Sequence, residues 1–223
     1  MATEPLRVSE LFYSIQGEST RAGLPCLFIR LSGCNLRCAY CDAGYTWQET
    51  GMPMSVAEIL AWAARIPGMP IEITGGEPLL QTAVYFLMQA LIQDGRDVLL
   101  ETNGSLTLDR VPDAVGIIMD VKCPDSGMAE HNLPDNLDIL RGRQQRGCRD
   151  EIKFVLSSEA DFHWAREILA LGNLPTLLPV LFSPVRPLLD PAVLAGLLLQ
   201  HRLPVRLQLQ LHALLWPEKT RGA

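Results

Sequence analysis

Apolar positions along this chain switch repeatedly between two spacings. Runs rich in Val, Ile, Leu, Phe and Tyr at residues 8–15, 26–31, 71–74, 98–101, 117–121, 152–155, 177–182 and 205–209 predict strands. Between them the spacing widens to that of a helix face. Leu80, Val84, Leu87, Met88 and Leu91 share one such face, and Gly95 suits a left-handed stop. Ser55 opens another helix with capping-box spacing to Glu58. Helices are also expected over 161–171 and 191–200, the latter with Asp190 as cap and Pro191 in its first turn. Residues 123–147 are rich in Pro, Asn, Asp, Gly and Arg and read as a long, partly irregular crossover.

Strand-then-helix alternation implies an α/β fold, a parallel sheet with helices on its outer side. A closed eight-fold barrel uses about 250 residues, and this chain has 223. The expectation is therefore a partial, open parallel β/α barrel of about six strands. It forms a single domain over residues 1–223, with short N- and C-terminal elaborations. Functional residues then belong at the carboxyl ends of the strands, where the loops converge.

Composition narrows the function. A hydrophobic content of 48% is too high for a disordered chain. The 19 Lys and Arg against 25 Asp and Glu leave a net charge of −6, which argues against a nucleic-acid partner. No apolar run reaches the roughly 18–20 residues that span a bilayer, so no membrane partner is expected. The opening MATEPLRVSELFYS carries charges where a signal peptide needs an apolar stretch, so the expected location is the cytoplasm. Six cysteines then need a purpose other than disulfides.

Cys34, Cys38 and Cys41 stand in Gly33-CNLRCAYC-Asp42, a C-x3-C-x2-C loop just after a strand. Thiolates so close repel one another unless a cation or cluster neutralises them. A structural zinc site takes four ligands, and an iron–sulfur cluster is usually held by four cysteines. Three ligands leave a metal position open, as a [4Fe–4S] cluster needs if one iron is to bind a small chelating molecule. A zinc site completed by Cys26, Cys123, Cys148 or a histidine is the alternative. Cys26 lies inside a β run and reads as a small buried hydrophobe. Cys123 and Cys148 flank the irregular segment and read as core or loop residues. A second motif, Thr74-GGEP-Leu79, follows a strand, and its glycines permit close backbone approach to a ligand.

Together these two motifs resemble the signature of the radical S-adenosylmethionine (SAM) enzymes. The resemblance implies a [4Fe–4S] cluster on Cys34, Cys38 and Cys41, with SAM on its open iron. One branch is more similar still. Residues 8–17 read VSELFYSIQG, and Phe28-Ile-Arg30, CNLRCAYCD, TGGEPLLQ, Glu101-TNG, Asp120-VKCP, Asp150-EIKFVL and Gln208-LQLHALLWP follow. This set resembles the 7-carboxy-7-deazaguanine synthase family along nearly the whole chain.

That resemblance implies a lyase of queuosine biosynthesis, which makes 7-carboxy-7-deazaguanine from 6-carboxy-5,6,7,8-tetrahydropterin with loss of ammonia. It implies SAM contacts at Tyr40, Cys41, Asp42, Gly76, Asp120, Val121 and Lys122. It implies substrate contacts at Ile15, Gln16, Gly17, Arg30, Thr74 and His212. Arg30 offers a planar fork for the substrate carboxylate, and Glu101 is the candidate for holding the pterin or moving a proton. It also implies a homodimer and an external electron donor of the flavodoxin kind.

The chain departs from the family pattern at two places. The family's magnesium-binding Thr or Ser after the Cys-Asp pair is here Ala43, with no side-chain oxygen. Magnesium, where it is used, is then held by substrate and water, or the activity is independent of it. Ala213 stands where the family often has Lys after His212. Two further readings stay open, a glycyl-radical-enzyme activase and a zinc-binding interaction protein.

Overall fold

The computed structural model describes residues 4–222 except 173 and 175–177. Strands β1 (Leu6–Ile15), β2 (Pro25–Leu31), β3 (Met52–Met54), β4 (Ile71–Gly75), β5 (Val98–Thr102), β6 (Gly116–Val121), β7 (Glu151–Leu156), β8 (Val180–Pro184) and β9 (Arg206–Leu207) form one sheet. Its order is β3-β1-β2-β4-β5-β6-β7-β8-β9. Every pairing from β2 onward is parallel, while β1 runs antiparallel to both β2 and β3. The six strands β2 and β4–β8 make the expected open barrel. β9 is a two-residue stub where five residues were expected, and Leu177, the expected start of β8, lies outside the described residues.

Residue alternation along these strands divides two environments. Leu27, Ile29, Leu31, Ile71, Ile73, Val98, Leu100, Ile117, Met119, Ile152, Phe154, Val180 and Phe182 join one hydrophobic cluster beneath the helices. Phe28, Arg30, Glu72, Thr74, Glu101, Ile118, Asp120, Lys153 and Val155, in the opposite phase, line a cavity. The sheet is thus buried on both faces, with charge concentrated on the inner one.

The helices are α1 (Tyr45–Gln48), α2 (Val56–Ala63), α3 (Ala83–Gln93), α4 (Asp135–Gln145), α5 (Glu159–Gly172), α6 (Pro191–His201) and α7 (Leu211–Leu215). At α2 both halves of the capping box form, Ser55 N donating to Glu58 Oε2 at 2.7 Å and Glu58 N to Ser55 Oγ at 3.3 Å. Asp190 caps α6 by accepting from Ala192 N at 2.7 Å. Val84, Leu87, Met88 and Leu91 are fully buried on one face of α3. Leu80 departs from that expectation: it ends a single 3-10 turn before the helix and is exposed.

The crossover over 123–147 is more regular than its composition indicates, since it holds α4. Arg143 on α4 explains why a polar segment folds there. Its side chain is buried, with Nε 2.8 Å from Asp150 Oδ2 and Nη groups donating to the carbonyls of Val111 and Val115 at 2.8 and 2.7 Å. Asp150 in turn accepts from Ile117 N at 3.0 Å, fixing the start of β6. Arg143→Met strands the Asp150 charge, and the expected cost is about 3–5 kcal/mol, measured as a lowered midpoint in urea at unchanged slope.

Candidate active site

The carboxyl ends of the parallel strands surround a cavity of about 670 Å³. Every residue picked out from the sequence lines it except Val121. Val121 is 7% exposed and belongs to the hydrophobic cluster on the outer face of β6, because Asp120 and Lys122 take the opposite phase. Its side chain therefore packs in the core and does not line the cavity.

The cysteine loop follows β2, and its shape depends on the TGGEP loop after β4. A Cβ at Gly75, whose φ is +143°, would lie 2.1 Å from Leu31 O. One at Gly76 would lie 2.2 Å from Gly33 O and 2.8 Å from Cys34 Cβ. What the glycines admit here is the other loop, and both also line the cavity. Glu77, fully buried, locks the arrangement by accepting from Leu79 N, Thr102 Oγ1 and Asn103 N at 3.0, 2.9 and 2.8 Å. Asn103 and the Leu36 amide then donate to Cys34 Sγ, at 3.8 and 3.4 Å.

Cys34, Cys38 and Cys41 are all free thiols facing the cavity. Burial pushes the thiols of Cys38 and Cys41 up, so their anions need a positive partner. Among the described residues no three His, Cys, Asp or Glu side chains are gathered to hold one metal ion. The triad fits a larger inorganic cluster: three thiols of one loop, with N–H donors already aimed at one sulfur. A ligand beside it is also fitted. Asp120 Oδ1 is buried with no hydrogen-bond partner, while Oδ2 takes the Lys122 ammonium at 2.6 Å. An orphaned acceptor on a cavity wall suits a donor group of a bound molecule. Tyr40 lines the cavity as well, its hydroxyl donating to Val155 O at 2.9 Å.

Across the cavity, Arg30 is gripped in place. Its Nε lies 2.7 Å from Glu10 Oε1, which also accepts from the Tyr45 hydroxyl at 2.7 Å. Burial opposes the Arg30 charge, and Tyr45, Glu10 and Asp42 around it more than restore it. Thr74 Oγ1 donates to Glu101 Oε2 at 2.8 Å. Burial also opposes ionisation of Glu101, but the Lys153 charge, with hydrogen bonds from Lys153 and Thr74, outweighs it and lowers its pKa to about 2.

Ile15 ends β1, and Gln16 and Gly17 follow it in the turn. Gln16 is 4% exposed, its amide nitrogen donating to Glu72 and its oxygen accepting from Glu18 N at 2.9 Å. One hydrogen and one lone pair of that amide are left for a ligand. His212 packs on Gly17, where a Cβ would meet its Nδ1 at 3.0 Å, and its Nε2 lies 4.0 Å from Asp42 Oδ2. Ala213 brings no charge, yet Lys219 and Arg221 further along also line the cavity. Ala43 offers no oxygen ligand, and the nearby Thr46 hydroxyl is spent on Ala43 O at 2.7 Å.

Sequence reading missed Glu72 and Lys153, which line the same cavity. The signal was present: each breaks an apolar run or adjoins a recognised motif. Glu72 and Lys153 share the strand phase of Arg30, Thr74, Glu101 and Asp120.

Comparison with known proteins agrees with this geometry. The profile of the radical SAM superfamily matches residues 28–123. The 7-carboxy-7-deazaguanine synthase of Chlorobaculum tepidum is 44% identical over 223 residues, covering 100% of both chains. The protein of the same name from Koribacter versatilis is 42% identical, covering 97% of this chain and 100% of its own. The crystal structure of QueE from Escherichia coli shares the fold at a TM-score of 0.74 and 22% identity, over 92% of this chain and 94% of that one.

Proposed function

The chain belongs to the 7-carboxy-7-deazaguanine synthases of the radical SAM superfamily, and we propose that its cavity binds 6-carboxy-5,6,7,8-tetrahydropterin between Arg30 and the cysteine loop. It is the lyase of queuosine biosynthesis that forms 7-carboxy-7-deazaguanine. The observation that carries the site assignment is the shared cavity: three free thiols of one loop and a gripped arginine face the same 670 Å³. Bound at Cys34, Cys38 and Cys41, a [4Fe–4S] cluster with SAM beside it would supply the radical chemistry that opens the reaction at C6 of the pterin.

The protein's part is to bind, orient and exclude. Cys34, Cys38 and Cys41 hold the cluster. Asp120 Oδ1 accepts from a hydroxyl or amine of SAM, with Tyr40, Asp42, Gly76 and Lys122 around it. Arg30 pairs with the substrate carboxylate through its free nitrogens. Ile15, Gln16, Gly17, Thr74 and His212 frame the pterin, and Glu101, held ionised, accepts from its N–H groups. A pocket of buried polar groups rejects a wrong ligand strongly, because the mismatch leaves donors unpaired.

Ala43 offers magnesium no side-chain oxygen, and of the two expectations, an ion held by substrate and water or none at all, we infer the second: the reaction is independent of magnesium. The chain works as a single domain over residues 1–223, a reading supported by one sheet from β1 to β9. Homodimeric assembly, a flavodoxin-like electron donor and a cytoplasmic setting follow from the family resemblance. Six cysteines with no disulfide among them support the last. No helix among the described residues is long and apolar enough to cross a membrane.

Anaerobic reconstitution with iron and sulfide, then incubation with SAM, reductant and the carboxytetrahydropterin, tests the reading. The expected outcome is the deazaguanine acid, at a rate unchanged when magnesium is added back to chelator-treated enzyme. Slow SAM cleavage with the pterin left intact sinks the substrate assignment. A magnesium-dependent rise in rate sinks the metal statement alone.

A further inference from the structure

Lys153 stands in the middle of β7, 4% exposed, with its ammonium in the cavity wall. It donates to Glu18 Oε2 at 2.9 Å and to Glu101 Oε1. Glu18 lies in the turn after β1 and Glu101 on β5, so one cation joins two distant parts of the sheet. The second oxygen of each carboxylate is held as well, by Thr74 Oγ1 at 2.8 Å for Glu101 and by Gln210 Nε2 at 3.2 Å for Glu18.

The charges facing this group come from every neighbouring element. Asp120 on β6 is balanced by Lys122 at 2.6 Å, and Arg30 on β2 by Glu10 at 2.7 Å. Glu72 on β4 hydrogen-bonds Gln16 and is driven toward its neutral form by burial and by the nearby Glu101 charge. That leaves Lys153 alone against two ionised carboxylates. The cluster carries a net negative charge, suited to a ligand edge made of N–H donors.

We propose that Lys153 is a positioning residue of this enzyme, clamping Glu18 and Glu101 into one fixed acceptor pair for the N–H edge of the pterin. The inference rests on the pterin reading of the site. Charge-assisted bonds to both carboxylates keep them from rotating away when the site is empty, and the one to Glu101 also holds that group ionised. A rigid acceptor pair costs no reorganisation when substrate arrives.

Lys153→Met keeps the length of the chain and removes the charge. Burial of Glu101 is then opposed only by the Thr74 hydrogen bond and the more distant Arg30 charge, so its pKa rises and the carboxylate takes up a proton as pH falls. Turnover of the reconstituted variant should therefore fall about tenfold per pH unit below that raised pKa and recover as pH rises. Wild type shows no such limb from Glu101, which stays ionised down to about pH 2. Binding of 6-carboxypterin, read by quenching of its fluorescence, should weaken on the order of 10²-fold at acid pH, and Lys153→Arg should restore both readouts. Should the Met variant not fold, Lys153→Gln, whose amide still donates, gives the same profile. A pH profile parallel to wild type, with a uniform loss at every pH, overturns the clamp. If wild type itself neither binds nor converts the pterin, the reading beneath the clamp has failed and the clamp with it.

Discussion

Cys38→Ala removes turnover of the carboxytetrahydropterin down to background, a loss on the order of 10⁶-fold or more on the scale of enzymatic rate enhancements. The size follows from where the chemistry resides. Radical generation belongs to the cofactor, and no side chain of the cavity can replace it. The two thiols that remain give a cluster too few ligands. The loss should therefore appear at the first stage, as missing iron and missing visible absorption after reconstitution, and then as no cleavage of SAM.

Cys148→Ala is the control for cysteine chemistry at large. Cys148 lies in the turn after α4 and does not line the cavity, so its variant should reconstitute and turn over as wild type does. A Cys38→Ala protein that binds iron normally and still makes product ends the assignment of the triad.

How far the site was legible in the sequence differs between its two halves. The cysteine loop and TGGEP are local: their spacing is set by contacts within a few residues, so a linear reading finds them. The part played by the glycines was not legible. Gly76 meets Gly33 and Cys34, and the closeness of those loops comes from the parallel β2–β4 pairing of Arg30 with Thr74 and Leu31 with Gly75. The strands were legible because buried parallel strands are short continuous apolar runs. α4 was hidden because its stabilising contact is a buried ion pair, Arg143 with Asp150, and ion pairs leave no apolar period behind.

Glu72 and Lys153 were hidden for a related reason. A lone charge in a strand has the same appearance in sequence whether it faces solvent or a cavity. Only the phase relation across β2, β4, β5, β6 and β7 shows that Arg30, Glu72, Glu101, Asp120 and Lys153 share the inner face. That relation requires the register, which single strands do not contain. The same face explains the whole-chain character of the site: no strand holds it alone, and each contributes one charged residue to a common cavity.

Arg30→Met should lower kcat/KM by roughly 30-fold to several thousand-fold, the range that follows from a cost of about 2–5 kcal/mol when one member of a desolvated charge pair is truncated. The arginine is already oriented: Nε is fixed on Glu10 at 2.7 Å, and the guanidinium carbon lies 5.4 Å from the Phe12 ring centroid. Its remaining nitrogens are thereby pre-placed for a planar anion, and a carboxylate is the anion that a fork matches. Truncation alone does not show that the lost partner was the substrate carboxylate, because Glu10 also loses its cation. A cycle over residue and ligand separates the two. Binding of 6-carboxytetrahydropterin and of tetrahydropterin without the carboxylate is measured for wild type and for Arg30→Met. Wild type should prefer the carboxylated ligand strongly, and the variant should bind both almost equally, so that the coupling between Arg30 and the carboxylate accounts for most of the loss. Arg30→Lys keeps the charge without the fork and should fall between them. Equal discrimination in wild type and Arg30→Met would show that the carboxylate is held elsewhere, with Arg186, Lys219 and Arg221 among the other cations of the cavity lining.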